Sequence, residues 1–253
     1  MLPSSGLEIF FVLLVLTMLC VAAMIFYTGL QNTRDRGDII VTSGLSLCAL
    51  IVVLVIELFV ASKGWLEQFD RPPPSIALLL VPVLITTVVF SSVASIGERL
   101  ATGLSVRTLI AFQSFRFGPE LFLHLGYVEG SLPSQMTFPP EGRNVDVLTA
   151  AAATALALYA HSGPGRPLPR ALVWAFALGG LASLANISYT SLRSLAHWLR
   201  PTDWQPGLEA MALPPYILLP GYLFQLALCG QLLLVRKLLL TGGGPAAASA
   251  EMW

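Results

Sequence analysis

The sequence predicts an all-α, polytopic membrane protein, a bundle of seven transmembrane helices. Of its 253 residues, 55% are hydrophobic and only 11% are charged, whereas a soluble globular domain carries about 25% charged residues. The mean hydropathy is +0.76, and the apolar residues form stretches that approach the ~20 residues needed to cross a bilayer. The lipid bilayer is therefore the first expected partner of the chain.

Seven apolar segments follow one another, separated by polar connections. The first has no basic residue before it and is too long for a signal-peptide core, so we expect a retained span. The Pro72-Pro73-Pro74 run prevents a continuous helix between the second and third segments. We assign residues 1–240 to one transmembrane domain and expect the tail, 241–253, to be disordered. The predicted spans are residues 8–30, 39–61, 76–97, 106–127, 146–161, 168–192 and 213–239.

The basic residues of the connections predict an N-out, C-in orientation. With the N-terminus outside, the inner segments hold eight Lys or Arg residues and the outer segments hold five. The inner set is Arg34, Arg36, Arg99, Arg107, Arg166, Arg170, Arg236 and Lys237, and the outer set is Lys63, Arg71, Arg143, Arg193 and Arg200.

The fourth predicted span, residues 106–127, carries a polar stripe inside an apolar segment. Its members fall within an arc of about 80° on one side of a helix. An arginine near a bilayer centre costs roughly 2.5–3.5 kcal/mol on insertion scales, which makes the stripe a candidate functional site. The i,i+4 spacing predicts an ion pair between Arg116 and Glu120. The stripe consists of Gln113, Arg116, Glu120, His124 and Tyr127.

Other polar groups are expected at the same depth, in the outer half of the bundle. Pro119 interrupts the fourth span and removes a backbone hydrogen bond, which is tolerated only where other helices or water satisfy the freed carbonyl. We therefore predict a hydrated polar cavity that opens outward and is capped by residues 136–146. The contributing residues outside the stripe are Glu8, Glu57, Glu141, Arg143, Asn144, Asp146, Thr149, Asn186, Tyr189, Tyr222 and Gln225.

Structural interpretations remain open for each of these residues. Arg116 and Glu120 could form a clasp that holds helices in register rather than a binding site, because buried ion pairs are weak evidence for either role. A histidine near a helix end, such as His124, is more often an interface residue than a chemical group. Asn144 or Asp146 could simply cap the fifth helix.

The sequence lacks the residues that several common cofactors need for binding. The only two lysines, Lys63 and Lys237, are not deep in the last span, which argues against a retinal Schiff base. The three histidines are not placed as an axial pair for haem, and no cluster has zinc spacing. The three cysteines lie in apolar runs and predict no disulfide. We expect no cofactor and no metal, and without a basic patch we expect no nucleic-acid partner.

A loop motif resembles one found in a group of uncharacterised bacterial multi-span membrane proteins. In that group, an Arg and a Glu in one span precede a loop of the form MTF…GRN-x-D-x-LT. The resemblance implies a location in the bacterial inner membrane and no particular activity. Here an additional Pro139-Pro140 interrupts the loop. The matching residues are Met136, Thr137, Phe138, Glu141, Gly142, Arg143, Asn144, Asp146, Leu148 and Thr149, with Leu219-Pro220-Gly221 in the last span.

Three hypotheses about function follow from these patterns. The first is a non-enzymatic protein that binds or transports a small polar or amphipathic solute. The second is a membrane-embedded enzyme acting on a lipid-linked substrate, with Glu120 and His124 as acid and base. The third is a structural subunit of a membrane complex. The predicted ligand-binding residues are Gln113, Arg116, Glu120, His124, Arg143, Asn144 and Asp146, and none is assigned as catalytic.

Overall fold

The computed structural model describes residues 2–32, 39–69, 73–162, 168–195 and 208–241, and these contain helices and no β-strand. Short non-α turns lie at Gln113–Arg116, Ser134–Met136 and Leu208–Ala212 (3-10 geometry) and at Leu219–Leu223 (π geometry). The predicted disordered tail lies outside the described residues from residue 242 onward. The α-helices are α1 (Ser5–Gln31), α2 (Ile39–Ser62), α3 (Ser75–Ser92), α4 (Ser95–Gly103), α5 (Val106–Phe112), α6 (Phe117–Val128), α7 (Asp146–His161), α8 (Arg170–Leu195) and α9 (Phe224–Leu240).

Five helices in the described ranges are long and apolar enough to cross a membrane. They are α1, α2, α3, most of α8, and α9 together with the π turn that precedes it. In α1 to α3, few residues are buried inside the protein, and large aliphatic side chains point outward along their length. Such apolar outer surfaces suit a lipid environment. The all-α class is thus confirmed, and the five long apolar helices are compatible with a multi-span membrane protein.

The predicted count of seven spanning helices is not supported. The segment 106–127 is not one α-helix, because a 3-10 turn at Gln113–Arg116 separates α5 from α6. Pro119 follows this turn and cannot supply an N–H to the carbonyl of Phe115, so regular α-helical pairing is interrupted there. Helix α7 has 16 residues, about 24 Å at 1.5 Å per residue, and a bilayer core is ~30 Å thick.

Helix α7 is short because the loop before it folds into the bundle. After α6, the chain turns sharply at Gly130, whose φ of 72° suits a residue without Cβ. Met136 is 2% exposed and Asn144 is fully buried. The chain therefore starts α7 inside the protein rather than at its surface, as re-entrant segments do where protein surrounds their backbone.

Polar contacts fix the two ends of the bundle. At one end, the Ser4 hydroxyl and backbone N–H donate to the Glu129 carboxylate over 2.7 and 3.1 Å. At the other end, Lys237 Nζ donates to the carbonyls of Ala101 and Thr102, where α4 ends. A cation at a helix C-terminus is favourable because the last carbonyls are free and carry partial negative charge. Helix α9 reaches that end after packing against α3, α4, α5 and α8.

Candidate functional site

Arg116 lies at the centre of the protein in a buried ion pair with Asp146. Its side chain is 1% exposed, and Nε lies 3.1 Å from Asp146 Oδ2. Nη2 donates to the carbonyl of Gly180 in α8 over 3.4 Å, while neither Nε nor Nη1 has a hydrogen-bond partner among the described residues. The ion pair therefore joins the 3-10 turn before α6 to the first residue of α7, and the guanidinium also contacts α8.

The prediction that Arg116 pairs with Glu120 is wrong, because the ion-pair partner of Arg116 is Asp146. Among the described side chains, Asp146 is the carboxylate within ion-pair distance of Arg116. Arg116 directly precedes the first turn of α6, so the i,i+4 spacing to Glu120 would permit the pair, but the guanidinium contacts Asp146 instead. The buried loop then places Asp146 where the guanidinium can reach it.

Glu120 is instead held by Asn144. Nδ2 of Asn144 lies 2.7 and 2.8 Å from the two oxygens of Glu120, and 3.2 Å from the carbonyl of Met136. The other end of the amide, Oδ1, accepts from the backbone N–H of Asp146 over 3.0 Å. The N-cap position of α7 is Val145 and not Asn144 or Asp146, but Asn144 still accepts from the first N–H of the helix and also orients Glu120.

Asp146 has a second group of partners on α7 and α8. Its Oδ1 accepts from the Ser183 hydroxyl over 2.6 Å. Ser183 Oγ also lies 2.9 Å from the Gly180 carbonyl oxygen and 3.0 Å from the Thr149 hydroxyl. Sequence analysis did not identify Ser183, although its position one turn before Asn186 on α8 was an available signal. These contacts tie both carboxylate oxygens of Asp146 to neighbouring helices.

The remaining predicted site residues lie apart from this cluster. The fully buried Gln113 donates to the carbonyl of Ala227 in α9 over 3.3 Å. The side chains of His124 and Arg143 are exposed, and Arg143 takes part through its carbonyl, which accepts from Asn186. The structure therefore brings together four of the seven predicted residues, Arg116, Glu120, Asn144 and Asp146.

A cavity of about 320 Å³ ends on the ionic cluster. It lies between α3 and α8, with the Leu208–Ala212 turn and the start of α9 forming further wall. Arg116, Glu120 and Asp146 line it, as does Met136 of the buried loop. Most of the other lining side chains are apolar, including Leu80 and Leu184. The cavity is therefore largely apolar with a charged end, whereas sequence analysis predicted a polar, hydrated one.

The described residues contain no group of three or more His, Cys, Asp or Glu side chains arranged to hold a metal ion. Glu120 and Asp146 are two carboxylates near one cluster, but Asp146 is occupied by Arg116 and Ser183. The arrangement is suited to orienting a polar group through hydrogen bonds and charge at the end of an apolar space.

The structure is that of an all-α protein with five helices long and apolar enough to cross a membrane and with a buried ion pair between its helices. The chain belongs to the family described as Domain of unknown function (DUF8737), which it matches over residues 73–239. The matched region contains α3 to α9, the buried loop and all residues of the ionic cluster. Neither the curated proteins nor the solved structures yield a significant match.

Proposed function

We propose that this protein binds an amphipathic molecule in the cavity between α3 and α8. The apolar part of the ligand lies between the two helices, and its polar head lies at Glu120, next to the Arg116–Asp146 pair. The observation that carries this proposal is the cavity itself, whose walls are apolar and whose inner end is charged.

The size and chemistry of the cavity favour a ligand over water. Its volume of about 320 Å³ is at the lower end of the range for small-molecule sites. Water needs two to four polar partners, which apolar walls do not supply. The space suits a hydrocarbon chain or a compact ring system, and both helices beside it, α3 and α8, are apolar enough to contact lipid.

The cluster combines a structural clasp with a binding group. Arg116 and Asp146 are 1% and 10% exposed at the side chain, so their pair holds the buried loop against α6 and α8. Glu120 is partly exposed and lines the cavity. The two interpretations that sequence analysis left open therefore apply to different residues, with the clasp at Arg116 and the binding role at Glu120.

Binding is favoured over catalysis because one member of the suggested acid–base pair is misplaced. His124 is exposed and does not line the cavity. A general base has to come within hydrogen-bond reach of its substrate. The enzyme hypothesis therefore lacks its second residue, whereas ligand binding needs only the groups already at the cavity.

The proposal includes the orientation and location predicted from sequence. We place the N-terminus outside and the C-terminal end of α9 inside a bacterial inner membrane, because basic residues are more frequent in the segments then inside. Glu129 then lies at the outer end, and Arg236 and Lys237 at the inner end. The Arg236 guanidinium pairs with Glu98 across 3.0 Å, so that end is also fixed by charge.

Native mass spectrometry in a mild detergent tests the binding proposal. Ala77 lines the cavity from α3, and its neighbour Leu78 is 65% exposed on the outer surface. We expect the wild type to retain an amphipathic adduct, Ala77→Phe to lose it by filling the space, and Leu78→Phe to keep it. A wild type without any adduct in the presence of added lipid, or an adduct unaffected by Ala77→Phe, would contradict the proposal. Recovery of a stoichiometric protein partner in place of a ligand would favour the subunit hypothesis.

The same experiment with Arg116→Gln examines the clasp. Removing one partner of a buried ion pair leaves the other charge uncompensated and costs roughly 3–5 kcal/mol. We therefore expect Arg116→Gln to lower the thermal unfolding midpoint strongly, while Ala77→Phe loses ligand and remains folded. A stable Arg116→Gln variant would assign Arg116 to the ligand rather than to the clasp.

A further inference from the structure

The charges that line the cavity do not balance. One cationic side chain, Arg116, and two carboxylates, Glu120 and Asp146, are found among the lining residues. Since Arg116 and Asp146 pair with each other across 3.1 Å, Glu120 has no cationic partner of its own among the residues that the structure describes. Building on the function proposed above, we propose that the ligand is an amphipathic cation whose ammonium-type head binds the Glu120 carboxylate.

Arg116 does not serve as the anchor for an anionic head. Its Nε faces Asp146, its Nη2 donates to the Gly180 carbonyl, and its Nη1 is covered by protein. With a side-chain exposure of 1%, the guanidinium has almost no surface to offer a ligand. An anionic head in the cavity would instead meet the uncompensated carboxylate of Glu120 first.

The geometry of Glu120 leaves it able to accept further hydrogen bonds. Both of its oxygens accept from a single amide group, Nδ2 of Asn144. A carboxylate has about four acceptor positions, and a primary ammonium has three donors. Asn144 therefore fixes the direction of the carboxylate without saturating it, and its own position is fixed by Asp146 and Met136.

The two basic side chains of α9, Arg236 and Lys237, form contacts away from the cavity. Arg236 pairs with Glu98 and donates to the Ala94 carbonyl, and Lys237 donates to the carbonyls that end α4. Neither residue lines the cavity. The positive charge that would neutralise Glu120 is thus not supplied by the part of α9 that the structure describes.

The walls of the cavity suit both the cationic head and the apolar part of the proposed ligand. Phe115 and Phe224 both line the cavity, and aromatic faces attract ammonium groups through their quadrupole. An isolated charge is costly in an apolar space unless it is paired. A ligand that brings its own positive charge to Glu120 satisfies both groups at once, which neither an anion nor a neutral alcohol does.

Three probes with the same ten-carbon chain test this inference: decylammonium, decanoate and decanol. Binding is measured by native mass spectrometry and by titration of the intact protein in a neutral detergent. We expect decylammonium to bind at least about tenfold more tightly than the other two. Glu120→Gln is expected to remove this preference, Glu120→Asp to retain part of it, and Glu141→Gln, an exposed carboxylate outside the cavity, to leave it unchanged.

The outcomes separate this inference from the proposal on which it rests. Preferred binding of decanoate or decanol, lost in Ala77→Phe, would overturn the cationic ligand and support the cavity as a binding site. Failure of all three probes to bind would overturn both. An unaltered preference in a folded Glu120→Gln variant would also overturn the role of Glu120. If that variant does not fold, the ranking of the three probes on the wild type decides the matter.

Discussion

Two glutamates of the bundle have opposite surroundings. Glu120 is partly exposed to the cavity and is held by Asn144. Glu57 in α2 is fully buried, and the described residues offer neither of its carboxylate oxygens a hydrogen-bond partner. It lies directly against Gly221 of the π turn, where any side chain would meet the carboxylate. The sequence predicted Glu57 as part of the polar cavity, but it does not line that cavity.

We expect Glu57→Gln to stabilise the protein. A buried carboxylate without partners carries a larger desolvation penalty than an amide of the same shape. The free energy of unfolding should rise by about 1 kcal/mol or more, seen as a higher thermal midpoint in detergent at neutral pH. Glu67→Gln, at an exposed position in the α2–α3 connection, is the matched control and should change little. A lower midpoint in Glu57→Gln would mean that the carboxylate is satisfied in the membrane.

Helix α8 offers a test of how closely the elements pack around the ionic cluster. Gly179 and Gly180 are adjacent, but only Gly180 faces α9, where a Cβ would meet the amide of Gln231. Gln231 is itself fully buried, so the amide has little room to move aside. The Gly180 carbonyl also accepts from Arg116 and Ser183, so a shift of α8 would reach the cluster.

Gly180→Ala should therefore destabilise the fold, by about 1–3 kcal/mol as in other overpacked sites. Gly179→Ala places its methyl group in open space and should be neutral or stabilising by up to about 1 kcal/mol, because alanine favours a helix. Thermal unfolding of the two variants side by side is the measurement. Equal effects from both substitutions would show that α8 does not pack on α9 through the Gly180 face.

The contact between the start of α1 and the end of α6 predicts a pH dependence. Hydrogen bonds from the Ser4 hydroxyl and backbone N–H hold the pKa of Glu129 below its ordinary value. A carboxyl group whose pKa is lower in the folded state stabilises that state above the unfolded pKa, and this contribution is lost as the pH falls through the folded pKa.

Wild type should thus exceed Glu129→Gln in stability at neutral pH, with the difference fading below about pH 4. Hydrogen exchange at the first turn of α1 is the local measurement, and Glu141→Gln is an exposed control. Because Glu129 is fully exposed, the effect is expected to be local and to weaken with salt. If the stability difference between wild type and Glu129→Gln persisted unchanged at low pH, its cause would not be the charge of Glu129.

At the scale of the whole molecule, the open question is which end of the bundle faces outside. Ser62 ends α2 and Ser95 begins α4, and both are exposed. They lie on either side of α3, one of the helices long enough to span. Their accessibility from the two sides of a membrane therefore reports the orientation.

In a variant without the native cysteines, we expect Ser62→Cys to react with a membrane-impermeant maleimide in intact cells. Ser95→Cys should react only after the membrane is opened. The physical reason is the distribution of arginine and lysine, which keeps the more basic connections inside. The reverse pattern of labelling would place the N-terminus inside, and labelling of both positions in intact cells would contradict a membrane-spanning α3.

The all-α class and several residues of the ionic cluster could be predicted from the sequence. Apolar runs and few charges are properties of single segments, so five of the seven predicted spans appear as helices of spanning length and composition. Arg116, Glu120, Asn144 and Asp146 were identified because charged and amide groups next to apolar runs are costly unless they have partners. The local order of polar and apolar residues is enough to identify such candidate residues.

Which of these residues contact one another follows from the folded arrangement of the helices and the buried loop. The Arg116–Asp146 pair and the Asn144–Glu120 contact join residues 30 and 24 positions apart, and helical spacing carries no information about contacts made through a folded-in loop. The same loop starts α7 inside the protein, which is why its 16 residues fall short of a span. The apolar walls of the cavity likewise come from α3 and α8, which are distant in sequence and which both pack on α9.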